Sequence, residues 1–477
     1  MCLIKALFFP VNITVKKLIL SIFLIITSFI QISIIAALVV SKDDFNYLLP
    51  ALASIVIFLI FSLILKWQVG ENLLGELGYI YLIFALAYTL FPAYTFITRD
   101  TGQIFSEKLA TLVPDTAELG IHLWRHVAFI FGCAVGYLLM RGRRTLQFYK
   151  TKTTEENDNP TIAFLIGFAL ICIIYLGFMS APVGSYIDNY TRYAHLSMFF
   201  RKTVSFFIRF KLGIYCLLII FLFRNFNKYK LIIYITVVSL CAYEFVFSSG
   251  SRIHTLVILM EAFFLYGFFV KKIKLKKIVI ACITISTFYY GVEIYRNMGL
   301  NLDDTKGMIF EKGLKPPSEL GSVYFTGFHL YSERSHGNLP SVEWPMFFYD
   351  FISPFVFADF TRWNPQYWYA RNYFPYAEVP PETMGPIAES AIWGGVSDLL
   401  IRSIINGAFF AWIVNWFIRR KKKWWGLAIY VYCYSTCVLM LKYSVFLVIT
   451  PLVKTLLPIM IMVHVVRRMF PSYMKSA

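Results

Sequence analysis

The sequence predicts an all-α polytopic membrane protein, with residues 1–477 forming a single integral membrane domain. Three observations predict it. The 477 residues are 58% hydrophobic and 15% charged, with mean hydropathy +0.64. That balance excludes a soluble globular protein, a disordered chain and a disulfide-stapled secreted module. The apolar runs are mostly about 20 residues long, the length that crosses a bilayer as a helix. The net charge of +18 sits mostly in short clusters beside those runs, so it reports orientation rather than nucleic-acid binding.

Twelve runs fit a transmembrane helix: 17–40, 48–65, 72–92, 121–140, 161–180, 206–223, 231–247, 253–270, 277–292, 397–418, 424–441 and 444–466. The first is too long for a signal-peptide core and lacks a small-x-small cleavage site, so it is expected to stay as a helix. Run 277–292 is short, and Pro451 and Pro458 should kink the last one. Basic clusters fall at alternate loops: Arg141/Arg143/Arg144, Arg224/Lys228/Lys230, Lys271 to Lys277 and Arg419 to Lys423. Lys16/Lys17 and Arg467/Arg468 join the same side, which the positive-inside rule makes cytoplasmic. An even number of spans then places both termini inside. All eight cysteines lie in apolar runs or at the N-terminus, without zinc spacing, and read as small hydrophobes.

The opposite side carries the loops 93–120, 181–205 and 293–396. The last is the distinctive one, rich in proline and aromatic residues. Long ordered loops of this kind usually carry function. Its stretch 343–376 is too aromatic for a solvated linker, which predicts amphipathic or re-entrant helices at the membrane surface.

Several groups in this frame can carry chemistry. The turn Ser248-Ser249-Gly250-Ser251-Arg252 puts a guanidinium in the first turn of a helix, an arrangement suited to phosphate; the plain alternative is an arginine snorkelling to lipid headgroups. Arg296, in Tyr295-Arg296-Asn297-Met298-Gly299-Leu300-Asn301, sits at similar depth, although Glu293 offers it a local partner. Glu389 lies in a short helix at the end of the long loop, where a carboxylate can serve as a base or simply form a solvated face. His254, His329 and His336 are further bases by residue type, though a lone histidine is more often structural. Glu244, Glu261, Arg209 and Lys211 fall inside apolar runs, where charge is costly and faces a partner or a cavity. Asp398 and Arg402 have the i,i+4 spacing of a local helix pair. Asp43/Asp44 is the only acidic pair placed as in a C-type glycosyltransferase. There is no DxD motif, P-loop, GxGxxG after a strand or GxSxG elbow.

Together these motifs resemble the Wzy-type oligosaccharide repeat-unit polymerases, which include the O-antigen and enterobacterial common antigen polymerases. The resemblance lies in Phe247-Ser248-Ser249-Gly250-Ser251-Arg252 and Tyr295-Arg296-Asn297-Met298-Gly299-Leu300-Asn301. It continues in Asn372-Tyr373-Phe374-Pro375, in Pro381-Glu382-Thr383-Met384-Gly385-Pro386-Ile387-Ala388-Glu389 and in Gly394-Gly395. It covers roughly residues 230–450; the N-terminal half matches in hydropathy alone.

The resemblance implies about twelve transmembrane helices with one large periplasmic loop, a C-type glycosyltransferase or O-antigen polymerase-like fold in the bacterial inner membrane. It implies lipopolysaccharide or related surface polysaccharide biosynthesis without cofactor or metal. The growing glycan would leave undecaprenyl pyrophosphate for the non-reducing end of a new lipid-linked repeat unit. Donor and acceptor, the bilayer and a chain-length regulator are the implied partners, and nucleic acid is not one. On this reading Glu389, Arg252 and Arg296 are catalytic. Arg252, Arg296, Arg371, Lys442, His254 and Arg334 bind the diphosphate or substrate. Where the family often carries an arginine near the last span, Lys442 stands, which keeps the charge without the bidentate fork. Three alternatives are an O-antigen ligase, with an essential loop histidine such as His336, another C-type glycosyltransferase, with Asp43 or Asp44 essential, and a lipid-linked oligosaccharide flippase. The absence of an internal repeat disfavours the flippase.

Overall fold

The computed structural model describes residues 13–70, 72–98, 116–143, 158–179, 198–247, 252–270, 318–352, 363–373, 384–421, 423–442 and 449–469. Every regular element among them is helical. In order these are α1 (Ile13–Val39), α2 (Lys42–Val69), α3 (Leu77–Ile97), α4 (Thr116–Met140) and α5 (Asn159–Met179). Next come α6 (Met198–Arg224), α7 (Phe226–Phe247), α8 (Arg252–Leu265), α9 (Ser318–Ser335), α10 (Tyr349–Ile352) and α11 (Pro365–Tyr373). The last are α12 (Pro386–Trp393), α13 (Val396–Arg420), α14 (Trp424–Thr436), α15 (Leu439–Lys442) and α16 (Ile449–Met469).

Seven of the described helices are long and apolar enough to cross a membrane: most of α1, α4 and α5, and all of α2, α3, α13 and α16. The expected run 277–292 lies outside the described residues. α1 exposes Leu20, Phe23, Leu24, Ile30, Ile34 and Ile35 on several faces, the pattern of a helix bathed in lipid. α2 starts at Lys42, six residues ahead of the expected run 48–65, and so takes in the acidic pair. The Ser41 hydroxyl caps it, accepting from the Asp44 backbone N–H at 3.1 Å and donating to the Asp44 carboxylate at 2.6 Å. Asp43 and Asp44 thus sit in a helix first turn, where negative charge suits the dipole. In α16, Pro451 is followed by a π-helical turn at Leu452–Leu456, an irregularity in the span that the two prolines were expected to kink.

The most extensive packing joins α4 to α13. Small residues make it close: Gly132 and Gly136 on α4 face Ser403 and Ile404, and Gly407 on α13 faces Cys133 and Tyr137. A Cβ at Gly136 would overlap the Ile404 carbonyl, and one at Gly407 would overlap the Cys133 carbonyl. Backbone cannot move aside as a side chain can, so this small-xxx-small face sets the helix separation. Gly136→Leu is expected to cost about 3 kcal/mol by overpacking, read as a lower unfolding temperature in detergent. Gly167→Leu, where nothing lies within 4 Å of the added carbon, should leave it unchanged.

The basic helix ends gather at one end of the bundle. Arg141, just after α4, forms a bidentate pair with Glu76 at the start of α3, both contacts 2.8 Å, and donates to Asn415 in α13 at 3.0 Å. Tyr137 also donates to Glu76. Arg224 and Arg467 converge on Asp158, ahead of α5, at 3.5 and 3.4 Å. Arg467 lies 5.9 Å over the ring of Trp424, the first residue of α14.

Residues 293–396, expected as a loop, are not all irregular. α9 is an 18-residue helix that buries Tyr324, Phe325 and Phe328 against α3 and α4. The short aromatic helices expected over 343–376 appear as a 3-10 turn at Trp344–Phe348 followed by α10 and α11. They expose Trp344, Phe347, Phe348 and Tyr367.

Candidate functional site

Helix α12 organises the end of the bundle opposite the basic one. Pro386 opens it, and Gly385 before it presses on the Leu441 backbone of α15. Its other end turns at Gly394-Gly395. Gly395 has φ 65°, a left-handed value that glycine adopts freely, and its N–H donates to the Ser390 carbonyl at 2.7 Å. Arg334 of α9 donates to the carbonyls of Ala391, Ile392 and Trp393 at 2.9, 3.4 and 3.3 Å. A cation on the last carbonyls satisfies them and suits the negative end of the helix. The expected substrate ligand Arg334 is thus placed at the carbonyl end of α12.

The turn returns the chain so that the first turns of α13 lie against α12. Glu389 is 4% exposed, a buried group and not the solvated face that was its plain alternative. Its Oε2 accepts from Arg402 Nη1 at 3.2 Å, and Arg402 Nε donates to Asp398. The local pair read from the i,i+4 spacing is therefore present, but it is two-thirds of a triad. The Arg402 guanidinium also lies 5.3 Å over the Phe347 ring, and its Nη2 is buried without a hydrogen-bond partner among the described residues.

A second arginine joins through the next residue of α12. Ser390 Oγ is 2.9 Å from the Tyr331 hydroxyl, and Arg125 of α4 lies 3.9 Å over the Tyr331 ring. Arg125 Nη1 donates to His122 Nδ1 at 3.3 Å, while Arg125 Nε is buried and unpaired among the described residues. Neither arginine stood out as a site residue in the sequence. The available signal was His122, Arg125 and His126, three polar groups on one face at the non-basic end of an apolar run.

Other expected site residues fall in different places. Lys442 is 6% exposed at the end of α15, which packs on α12. Arg371 is exposed in the last turn of α11. Arg252 is the first residue of α8, and its side chain lies outside the described residues. Arg296, with the motif Tyr295 to Asn301, also lies outside them, as do Ser248 to Ser251, Phe374, Pro375 and Pro381 to Thr383. His254 belongs to another cluster: its Nδ1 is 3.1 Å from Glu244 Oε2, which Lys211 holds at 2.7 Å. His329 is 2.9 Å from the Tyr369 hydroxyl and packs against the Tyr373 ring. Burial pushes His329 below the ordinary histidine range, against the pull of Glu333, and pushes the Tyr373 hydroxyl up to about 12. His336 is exposed in the turn after α9, 2.8 Å from the Ser332 carbonyl.

The chain matches no family model, no curated protein and no solved structure. Function therefore rests on the chemistry of the site. The arrangement offers one buried carboxylate and two guanidinium groups, each with one nitrogen unpaired among the described residues. Aromatic rings from the 343–373 helices stand beside them.

Proposed function

We propose that the chain is a glycosyltransferase of the bacterial inner membrane that polymerises lipid-linked oligosaccharide repeat units at the periplasmic face. The growing O-antigen or related glycan leaves undecaprenyl pyrophosphate and joins the non-reducing end of a new lipid-linked unit. The observation that carries this reading is the Asp398–Arg402–Glu389 triad, built around the buried Glu389 opposite the basic end. Arg402 lies about 26 Å along α13 from Arg419, at about 1.5 Å per residue. With twelve spans, basic ends and both termini in the cytoplasm, the triad faces the periplasm.

In the transfer, the acceptor hydroxyl loses a proton as its oxygen bonds to C1 of the donor sugar. The C1–O bond to the diphosphate breaks, and its electron pair leaves on the diphosphate. Glu389 takes the proton. Arginines neutralise the leaving group: Arg252 and Arg296 from the motifs, with Arg402 and Arg125 adding the open donors at α12. Lys442 adds a cation beside α12, and the loop aromatics stack on sugar rings.

The test is a gel of surface glycan from a strain lacking the gene. Lipid capped by a single repeat unit, with no ladder, is expected. Loss of every repeat unit would instead indicate a ligase, a flippase or an earlier assembly step, and would overturn the reading.

A further inference from the structure

The cations at the basic end are of two kinds. Arg141 is held by Glu76, and Arg224 and Arg467 by Asp158. Arg419 and Arg420, the last residues of α13, and Lys423, just before α14, have no acidic partner among the described residues. Arg420 is seated all the same. Its guanidinium lies 5.2 Å over the Trp416 ring and 5.8 Å over the Trp425 ring, and Lys423 Nζ lies 5.6 Å over Trp425. A tight reversal brings these groups together. The Lys423 N–H donates to the Arg420 carbonyl at 2.8 Å, and a Cβ at Gly426 would stand 2.8 Å from that same carbonyl.

An indole attracts a guanidinium by its face and leaves the N–H groups at the edge able to donate to a phosphate. The plain alternative is charge that only orients the chain and stays in water; such charge needs no aromatic seat. The helix face that ends in Arg420 also continues into apolar surface. Trp416, Trp412, Phe409, Ile405 and Ile401 precede it at steps of four, four, three, four and four residues, which line one side of a helix. Trp412, Ile405 and Ile401 are 54%, 46% and 58% exposed. From Trp416 to Ile405 is about 16 Å at about 1.5 Å per residue, close to half of a hydrocarbon core about 30 Å thick. That is the depth of one leaflet. A free phosphate or an acidic peptide would use the cations and leave the stripe uncovered. A lipid with a charged headgroup covers both.

We infer that the outer stripe of α13 and the Arg419–Lys423 turn form a binding site for an anionic phospholipid. Its phosphate accepts from Arg420, braced by the two indoles, with Lys423 and Arg419 beside it. An acyl chain lies along Trp416, Trp412 and Ile405. Tryptophans at headgroup depth are the usual interfacial anchors, and cations there attract anionic lipid. The site does not rest on the transfer reaction. It fixes the depth of α13, the helix that carries Asp398 and Arg402 at its other end.

The test uses purified full-length protein in neutral detergent, with lipid binding read by native mass spectrometry. The probes are phosphatidylglycerol, phosphatidylcholine and glycerol 3-phosphate, a phosphate without acyl chains. Phosphatidylglycerol is expected to bind at least about fivefold more tightly than phosphatidylcholine, and glycerol 3-phosphate at equal concentration should not displace it. Arg420→Gln with Lys423→Gln should abolish the preference. Arg468→Gln with Lys230→Gln removes two exposed charges that have no aromatic seat among the described residues, and should keep it. Lys423 is exposed, so Lys423→Gln alone should insert normally and lower the preference severalfold even if the double variant fails to fold. Equal binding of the two phospholipids by the wild-type protein overturns the inference. An equal loss in both charge-matched pairs also overturns it, because it assigns the effect to diffuse surface charge. Displacement by glycerol 3-phosphate overturns it too, by giving the turn to a soluble phosphate.

Discussion

Glu389→Gln is expected to lower polymerisation turnover by about 10² to 10⁴-fold, the usual worth of a positioned proton acceptor, while the protein still inserts. Glutamine keeps the shape of the side chain and an oxygen that can accept from Arg402 Nη1, now 3.2 Å from the carboxylate. It cannot take a proton. Donor binding should be unchanged, because the proposed transfer assigns the diphosphate to arginines and not to Glu389. Arg402→Lys separates the two roles of the triad. Lysine keeps the charge but cannot hold Asp398 and Glu389 through a planar fork, so turnover should fall although the net charge is the same. The measurement is the rate of ladder growth by purified variants alongside donor binding. Turnover by Glu389→Gln at the wild-type rate would remove Glu389 as the base.

Glu76→Ala is expected to be the most destabilising single change at the basic end, by about 3–5 kcal/mol. Arg141 and Glu76 side chains are both 0% exposed. Removing the acid leaves Arg141 buried with Asn415 and the Gly142 carbonyl as its remaining named acceptors. It also strips Tyr137 of its acceptor. Glu76→Met with Arg141→Met removes both charges and should recover much of the loss, since an apolar pair avoids the desolvation penalty. Unfolding temperature in detergent reads this directly. A single variant as stable as wild type would show that the pair does not tie α3, α4 and α13 together.

The membrane-crossing character was legible because it depends on windows of about 20 residues, where local composition decides. Helix α9 was not legible. Its sequence, from Ser318 to Ser335, mixes Glu319, Glu333 and Arg334 with Tyr324, Phe325 and Phe328, and it becomes helical by burying the aromatics on neighbours far away in sequence. The charges at 211 and 244 could be seen inside apolar runs, but not that they select each other, since α6 and α7 meet through packing. Asp398 and Arg402 were legible as a pair because both lie on one helix. Glu389 joins them only through the reversal at Gly394-Gly395, thirteen residues from Arg402. Arg125 was hidden for the same reason: its meaning comes from Tyr331, on α9. Arg334 was visible as a charge, but its role in holding the carbonyl end of α12 depends on the fold.

The most direct test of the central claim is elongation by the purified protein in phospholipid vesicles supplied only with a lipid-linked repeat unit. The account predicts a ladder of lengthening lipid-linked glycan, with undecaprenyl pyrophosphate released in step, and growth at least about a hundredfold slower from Glu389→Gln. Intact protein that releases no undecaprenyl pyrophosphate and forms no ladder would contradict it.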